Sequence, residues 1–490
     1  MVMVAGIGGL VMLFMGTKSW ALIFLLAPAA GFVPFFSIAK CSVPILVGTG
    51  VLFYWMLLWL IGAVKFRWRS MPVLDILVVI MTIYMVAAYL RHPASMSMLG
   101  LDFDRVGGGE YAVFVVAVLY YIALSAIPME ISLLRRVLEW AAVLTIVGYI
   151  LGGVLHLAGF ETLDVGRLDK TSLKDAFGSR FMSFVYVGMY LMLYIYARFS
   201  MTRIMTSPLL IAACLFSFLC VILSAFRGRV LSFVVMILSV SFVKREITAV
   251  LCLIIAGIFG IYILNSAGLT EQLPIGAQRM ITHLPGIKID KRTSEVADDT
   301  IEWRLKLWEL ALDPRTGYIK DYVWGDGIGI SASETARRTI AAMRGAYVVQ
   351  VKNGERGASL YTADSSSWHN SVILSIQKLG FVGTSIILFT YAYVLYIIFR
   401  LTACMRDLKM KYLSIFFLFP IIDVLEELLT NTIYGMVYFM HDFFYFASAK
   451  FLYVTAREAG WLKDNLLAKR YVPQMIQEHG ERIQSPLAQV

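Results

Sequence analysis

A histidine at the predicted start of a helix is the first residue whose setting suits chemistry. His369 follows the serines at 365–367, which are good N-cap residues, and a helix is predicted from about His369 to Leu379. The positive end of a helix dipole disfavours imidazolium, so the ring stays neutral and can accept a proton from a hydroxyl near neutral pH. The alternative is a surface histidine with no catalytic role, because one histidine is a weak signal.

Arg304 is the first candidate for binding phosphate. Its guanidinium can bind two phosphate oxygens at once. The surrounding segment, 300–312, is predicted to form an amphipathic helix at the membrane surface. One face of that helix carries Ile301, Leu305, Trp308 and Leu312. The alternative is that Arg304 only anchors the helix at the interface beside its tryptophans.

Further arginines fall at the predicted outer ends of apolar segments. Arg227 and Arg229 share a tight turn between two apolar stretches, where a positive-inside protein should be poor in arginine. Charges at that depth need a partner. A diphosphate would serve, and so would acids of the large loop. Arg180, just before a predicted span, is a weaker case of the same kind.

An acidic group lies in the last two predicted spans. Asp423, Glu426 and Glu427 are spaced three or four residues apart and so share one side of a helix. His441 and Asp442 follow in the next span. Ionisable residues within a membrane are candidates for function, here for binding an acceptor sugar, holding the arginines or relaying protons. The alternative is a structural ion-pair cluster at the membrane edge.

Cofactor and metal sites are not predicted. The six histidines are scattered and the cysteines do not cluster with them, so metal-ligand spacing is missing from the sequence. The run Gly325–Gly329 has alternating glycines like a phosphate-binding loop, but it lacks the surrounding strand–loop–helix unit. We interpret it as a turn.

The composition requires a membrane protein. Hydrophobic residues make up 59% of the 490 and charged residues only 16%, against about a quarter in a soluble domain. Several runs approach the roughly 20 apolar residues needed to cross a bilayer. The net charge of +10 is explained by basic loops at the cytoplasmic face, so no nucleic-acid site is predicted.

The elements that must position these residues are about twelve transmembrane helices and one large outer loop. Predicted spans lie near 19–37, 43–63, 73–90, 111–127, 137–158, 181–197, 208–224, 229–243, 247–265, 381–399, 412–429 and 436–455. With the basic loops inside, segments 91–110 and 266–368 face the other side. The predicted divisions are an N-terminal transmembrane bundle (1–265), the large periplasmic loop (266–368), C-terminal transmembrane helices (369–456) and a cytoplasmic tail (457–490).

In this order, the motifs resemble the O-antigen ligase and O-antigen polymerase superfamily, over about residues 180 to 400. The matching residues are Arg180, Arg227 with Gly228, Arg304 with Trp308, Gly327 with Gly329, His369 with Asn370, and Gly380 with Gly383. One departure is that Gln377 and Lys378 stand where that family usually has an acidic residue before the Leu-Gly turn.

The resemblance implies an all-α, GT-C-like membrane glycosyltransferase in the bacterial inner membrane, with its active site facing the periplasm. Such enzymes transfer a glycan from undecaprenyl diphosphate with inversion and without a metal or other cofactor. By position, Arg227, Arg304 and Arg180 would bind the diphosphate, and His369 would orient or deprotonate the acceptor hydroxyl. The implied partners are the lipid-linked glycan, an acceptor glycan or lipid A-core, membrane lipids and a chain-length regulator.

Three functions stay open at this point. The first is a polymerase of lipid-linked repeat units of an O-antigen or exopolysaccharide. The second is a ligase that transfers the finished glycan to lipid A-core or another acceptor. The third is a transporter or flippase without covalent chemistry, which the acids near the last spans favour and the missing internal repeat disfavours.

Overall fold

The described part of the chain is mostly helical, as the sequence predicts. The computed structural model describes residues 11–26, 43–94, 105–106, 109–127, 130–157, 182–223, 227–272, 307–331, 370–430 and 437–462, and single positions between 278 and 305. Within these ranges the β structure amounts to two strands of two residues, β1 (Arg105–Val106) and β2 (Ile330–Ser331).

The helices are numbered in chain order. They are α1 (Ala21–Leu26), α2 (Val43–Leu60), α3 (Pro72–Arg91), α4 (Gly109–Ala126), α5 (Ile131–Leu157), α6 (Met182–Arg198), α7 (Met201–Thr206), α8 (Pro208–Leu223), α9 (Arg227–Lys244), α10 (Ile247–Ser266), α11 (Ser371–Cys404), α12 (Leu408–Leu418), α13 (Ile421–Thr430) and α14 (Val437–Glu458). A further helical segment covers residues 304–305 and 307–312 and is called the Arg304 helix.

One continuous apolar core joins the helices, and aromatic rings fill much of it. Helix α14 lies along α4, where the ring of Phe443 meets those of Phe114 (5.6 Å between centroids) and Tyr121 (6.4 Å). Helix α1 reaches the same core through Phe24, 5.9 Å from Phe451. Other close pairs include α6 with α8, α5 with α6, α9 with α13, and α3 with α11.

Helix α3 is apolar on both sides, which a soluble protein rarely allows. Leu74 and Val78 face the core, while Ile83 and Leu90 on the opposite side are 63% and 73% exposed. Large exposed apolar surfaces mark contact with a membrane or another protein. Among the described residues, α3 and α11 are long and apolar enough to cross a membrane, and shorter apolar stretches lie in α2, α4 and α8. The predicted membrane association is thereby supported.

One end of the bundle collects the basic segments that the sequence places in the cytoplasm. Arg135 pairs with Asp407, and Lys409 lies 2.5 Å from Glu139. Lys244 caps the end of α6 by donating to the carbonyl of Tyr196 (2.6 Å). Arg135 and Arg400 of this basic end belong to the helices α5 and α11 and not to the connections between helices. Both helices are longer than their apolar stretches and carry these charges beyond the bundle core.

The opposite end brings together the two predicted outer segments. Strand β1, from segment 91–110, pairs antiparallel with β2, from segment 266–368. Ile328 also donates its backbone N–H to the hydroxyl of Tyr111, at the start of α4 (3.4 Å). These contacts place the two segments on the same side of the bundle, as the alternation of spans predicts.

The predicted single span at 412–429 is wrong. Two helices, α12 and α13, occupy this stretch and are separated at Phe419 and Pro420. Proline lacks the N–H that a continuous helix needs, and its ring clashes with the carbonyl four residues earlier. The acidic residues predicted for this span therefore lie on α13, a separate helix of 10 residues.

A buried ion pair that the sequence analysis missed joins α3 to α14. Lys450, whose side chain is fully buried, lies 2.5 Å from Asp75, and Tyr121 donates to the same carboxylate oxygen (2.7 Å). The ammonium also lies 4.1 Å from the ring centre of Trp68. The signal in the sequence was a lysine within an apolar span, which has to find a partner.

This pair predicts a specific pattern of stability. Lys450→Met should lower the melting temperature strongly, because the partly buried carboxylate of Asp75 loses its charged partner, a loss of up to about 3–5 kcal/mol. Lys450→Met with Asp75→Leu should recover most of that loss, since a buried pair is replaceable by apolar residues. Thermal unfolding in lipid nanodiscs measures both.

The exposed pair of Arg67 and Glu458, 3.4 Å apart, provides the control. Glu458→Gln should change stability by less than about 1 kcal/mol. Equal losses for Lys450→Met alone and for the double variant would contradict the assigned pairing.

Candidate functional site

Helix α11 bends at Gly380, where the backbone is not helical (φ 66°, ψ −178°). The segment 318–329, called the docking loop, lies against this bend. Four backbone hydrogen bonds join them: Asp326 N to Gln377 O (2.8 Å), Gly327 N to Lys378 O (3.0 Å), Phe381 N to Tyr322 O (2.7 Å) and Val382 N to Val323 O (3.2 Å). They replace the intrahelical bonds that a bend removes, so the bend and the loop require each other.

Glycines make this contact sterically feasible. A Cβ on Gly325 would lie 2.4 Å from the nitrogen of Gly380, and a Cβ on Gly380 would lie 2.2 Å from the carbonyl oxygen of Val323. Both glycines also have positive φ, +80° and +66°. Gly383 has a different role, because a Cβ there would lie 2.5 Å from the ring of Tyr84. The Leu-Gly-x-x-Gly motif is thus explained by close packing.

Helix α3 holds the docking loop from the other side. The Tyr84 hydroxyl contacts the carbonyl of Leu379 and lies 2.9 Å from that of Trp324. Arg91 donates to the same Trp324 carbonyl (2.9 Å), and its guanidinium lies 3.9 Å from the carboxylate of Asp321. The loop is therefore wedged between α3 and α11.

Two aspartates shape the docking loop internally. Asp326 accepts hydrogen bonds from the backbone of Lys320 (3.0 Å) and Asp321 (2.9 Å). Asp321 in turn accepts from the backbone of Trp324 (2.9 Å). The chain turns at residues 322–324 and bends within Gly325–Gly329, in agreement with the predicted turn. Burial, followed by the nearby carboxylates of Asp313 and Asp326, raises the pKa of the Tyr322 phenol, which stays neutral.

The Arg304 helix packs on the first turn of α11. Leu307 and Ala311 are fully buried and form a small core with Ile373. Leu307 and Ala311 thus lie on the face that packs on α11, whereas Leu305 and Leu312, from the apolar face predicted for the membrane surface, are 55% and 41% exposed. The docking loop completes the contact, since the hydroxyl of Tyr322 lies 3.5 Å from the Ala311 carbonyl. Arg304 is half-buried and lies one helical turn before Leu307.

The N-terminus of α11 is capped by Asn370 and not by the serines at 365–367. Its side-chain oxygen accepts from the backbone of Val372 (2.9 Å) and Ile373 (3.1 Å), and the helix begins at Ser371. Asparagine is among the best N-cap residues. The helix therefore begins two residues later than predicted. His369 directly precedes the cap in the sequence and itself lies outside the described residues.

A buried arginine anchors the start of α9. Arg229 is 1% exposed and pairs with Asp423 of α13. Ser232 donates to the second carboxylate oxygen of Asp423 (2.9 Å). Arg229 also donates to the hydroxyl of Tyr186 on α6 (3.2 Å), and its guanidinium carbon lies 5.4 Å from that ring centre.

Stacked tyrosines continue from this arginine into the bundle. The ring of Tyr149 lies between those of Tyr186 (5.3 Å between centroids) and Tyr190 (4.9 Å). Tyr190 then meets Phe416 of α12 (5.7 Å). Arg229 thus joins α9, α13 and α6 at a wall of aromatic rings.

The described structure includes only some of the predicted site residues. Arg180 lies outside it, as does His369. Arg227 is the first residue of α9, and Glu426 and Glu427 belong to α13, but the side chains of these three also lie outside the description. Asp423 is described and holds an arginine, one of the roles predicted for the acidic group.

Sequence reasoning missed which arginine of the pair is buried. Arg227 and Arg229 were grouped in one turn, and only Arg227 was assigned a role. Helical phase is the signal that separates them, because residues two apart point to different sides of a helix. Tyr84 and Arg91 were also missed, since nothing local marks a contact with residues more than 200 positions away.

Comparison with models of known protein families gave no match, and comparison with curated proteins gave none either.

The glycine contact yields a test of the docking geometry. Gly325→Ala should lower the melting temperature strongly, because its Cβ collides with the backbone of α11 and its φ is positive. Gly317→Ala is the matched control, with φ +67° and open space around the new Cβ. The control should cost about 1–2 kcal/mol, the penalty of the left-handed conformation alone.

Unfolding of both variants in nanodiscs, followed by tryptophan fluorescence, measures the difference. If Gly325→Ala were no less stable than Gly317→Ala, the docking loop would not lie against Gly380.

Proposed function

We propose that this protein polymerises undecaprenyl-diphosphate-linked repeat units of an O-antigen or exopolysaccharide at the periplasmic face of the bacterial inner membrane. In this proposal it is a GT-C-like protein with about twelve transmembrane helices. The apolar outer faces of α3 and its neighbours support that architecture. So does the separation of the basic end of the bundle from the end that holds the docking loop.

The observation that carries the proposal is the packing of the Arg304 helix on the first turn of α11. Leu307 lies one turn after Arg304, and it shares a core with Ile373, four residues after His369. Arg304 thus belongs to a helix in direct contact with α11, and His369 comes two residues before the first residue of α11 in the sequence. A phosphate-binding group and a base on adjacent elements are what transfer from a diphosphate donor to a hydroxyl needs.

The proposed reaction is a direct displacement. The acceptor hydroxyl attacks the anomeric carbon of the donor glycan, the bond from that carbon to the diphosphate oxygen breaks, and the configuration inverts. Undecaprenyl diphosphate leaves with the bond electrons. His369 orients the hydroxyl or takes its proton, while Arg227 and Arg304 bind the diphosphate and offset its charge, with help from Arg180.

Positioning supplies much of the rate enhancement in such a reaction. The donor already carries a good leaving group, so holding two large glycans in the reactive geometry is the main requirement. The docking loop supports this role, because it holds the bend of α11 against α3 and also contacts the Arg304 helix through Tyr322. In the proposal, Glu426 and Glu427 contact the acceptor glycan, and Asp423 supports them by holding α13 on α9.

The deciding experiment offers purified protein in nanodiscs one substrate, an undecaprenyl-diphosphate-linked oligosaccharide. A ladder of longer lipid-linked products is expected of a polymerase. Product only after addition of lipid A-core would identify a ligase, which shares the donor chemistry. Movement of the donor across vesicle membranes without any new glycosidic bond would identify a flippase and refute the proposal.

Substitutions then test the residues. His369→Ala should abolish the ladder, and Arg227→Lys and Arg304→Lys should each lower the rate by about 10- to 100-fold, because lysine keeps the charge but loses the bidentate contact. Matched controls are His479→Ala, in the predicted cytoplasmic tail, and Arg315→Lys, an exposed arginine near the Arg304 helix. Wild-type rates for His369→Ala would exclude its role, and wild-type rates for both lysine variants would exclude diphosphate binding by these arginines.

A further inference from the structure

We propose that the buried pair of Arg229 and Asp423 is a positioning device for Arg227. The pair holds the first turn of α9 in place and so fixes the backbone that carries Arg227, the residue proposed to bind the donor diphosphate. This inference rests on the proposed function and deepens it, because it divides the two arginines of one motif into a ligand-binding residue and a supporting residue.

Arg229 is engaged by the protein and built into the wall of the bundle. It is 1% exposed, it pairs with Asp423, and it donates to the hydroxyl of Tyr186 (3.2 Å). These partners come from α13 and α6. A guanidinium held by two other helices restrains its own helix in both position and rotation, because its planar donors have fixed directions.

Asp423 completes the restraint from the other side. Both of its carboxylate oxygens bind α9, one through Arg229 and the other through Ser232 (2.9 Å). The two contacts lie three residues apart on α9, about one helical turn. Helix α13 is therefore fixed against α9 along the axis as well as across it, and it carries Glu426 and Glu427 about one turn after Asp423.

The neighbours of Arg227 explain why such a restraint is needed. Helix α9 begins at Arg227, and the next residue is Gly228. Glycine gives a helix its least rigid backbone, and the first turn of any helix lacks part of its hydrogen bonding. Without an anchor at Arg229, the residue best placed to bind diphosphate would sit on the most mobile part of the helix.

Stability alone does not account for the pair. Buried ion pairs can often be replaced by apolar residues of similar volume without loss of stability, whereas removing one partner is strongly destabilising. An apolar pair does not reproduce the directional contact that fixes the position of α9 along α13. A positioning role therefore predicts that apolar replacement leaves stability intact and lowers turnover.

The test uses the full-length protein in nanodiscs and compares Arg229→Met/Asp423→Leu with the wild type. The variant should keep the wild-type melting temperature. Its kcat for ladder formation should fall by about 10- to 100-fold, the scale expected when a catalytic contact is misplaced by about 1 Å. The KM for the lipid-linked donor should change by less than about threefold. Lys450→Met/Asp75→Leu, the same change at the basic end of the bundle, should leave kcat unaltered.

A double-mutant cycle with Arg227 gives the second readout. In the wild-type background, Arg227→Ala should lower kcat by the whole contribution of the Arg227 side chain. In the Arg229→Met/Asp423→Leu background it should cost about tenfold less, because Arg227 is already misplaced. The exchanged pair Arg229→Asp/Asp423→Arg restores the ion pair and should recover part of the lost kcat.

Three results would overturn the inference. The first is a wild-type kcat in the apolar variant. The second is a loss of kcat that is accompanied by a lowered melting temperature in both the apolar and the exchanged variants, so that lost stability explains it. The third is an effect of Arg227→Ala on kcat that is as large in the apolar background as in the wild type. Wild-type protein that forms no glycosidic bond with any donor and acceptor refutes the proposed function itself. The two failures are therefore distinguishable.

Discussion

The bend of α11 at Gly380 is the constraint on which the outer half of the molecule depends. A bend exposes backbone N–H and C=O groups, and such groups are costly to leave unpaired where they are buried. The docking loop pairs them, and in doing so it is itself held in one conformation between α3 and α11. The Arg304 helix then has a defined surface on which to pack. The backbone groups left unpaired by one bend thus determine how α11, the docking loop and the Arg304 helix pack together.

The second organising contact lies deeper and works through charge. Arg229 and Asp423 are each unfavourable alone in an apolar bundle, so each makes the other's position obligatory. Tyr186 accepts a hydrogen bond from Arg229, and the tyrosine rings stacked on Tyr186 pack beside this pair. The outer half therefore combines a backbone contact at α11 with an ionic contact at α9. Two residues proposed to act on the substrate, His369 and Arg227, lie in the sequence at or just before the starts of these two helices.

Helix positions followed well from the sequence because a long apolar run marks where a helix lies. Helix α3 was predicted over 73–90 and spans Pro72–Arg91, and α6 was predicted over 181–197 and spans Met182–Arg198. Apolar run length says nothing about breaks within a run, so the separation of α12 from α13 at Pro420 was missed. Contacts set by rotation of a helix were also missed, including the buried face of the Arg304 helix and the choice between Arg227 and Arg229. Those depend on which neighbour a face meets, which local patterns do not encode.

The pairing of Arg229 with Asp423 has a consequence for how the chain enters the membrane during synthesis. Helix α13 carries three carboxylates in 10 residues, and each is unfavourable at the centre of a bilayer. At about 5–20 residues per second, a ribosome makes Arg229 roughly 10–40 s before Asp423. When α13 is made, Arg229, which pairs with Asp423, has therefore already been synthesised. The order of the segments along the gene is then part of the folding information, because a chain with α13 moved ahead of α9 would meet the bilayer before Arg229, the partner of Asp423, has been made.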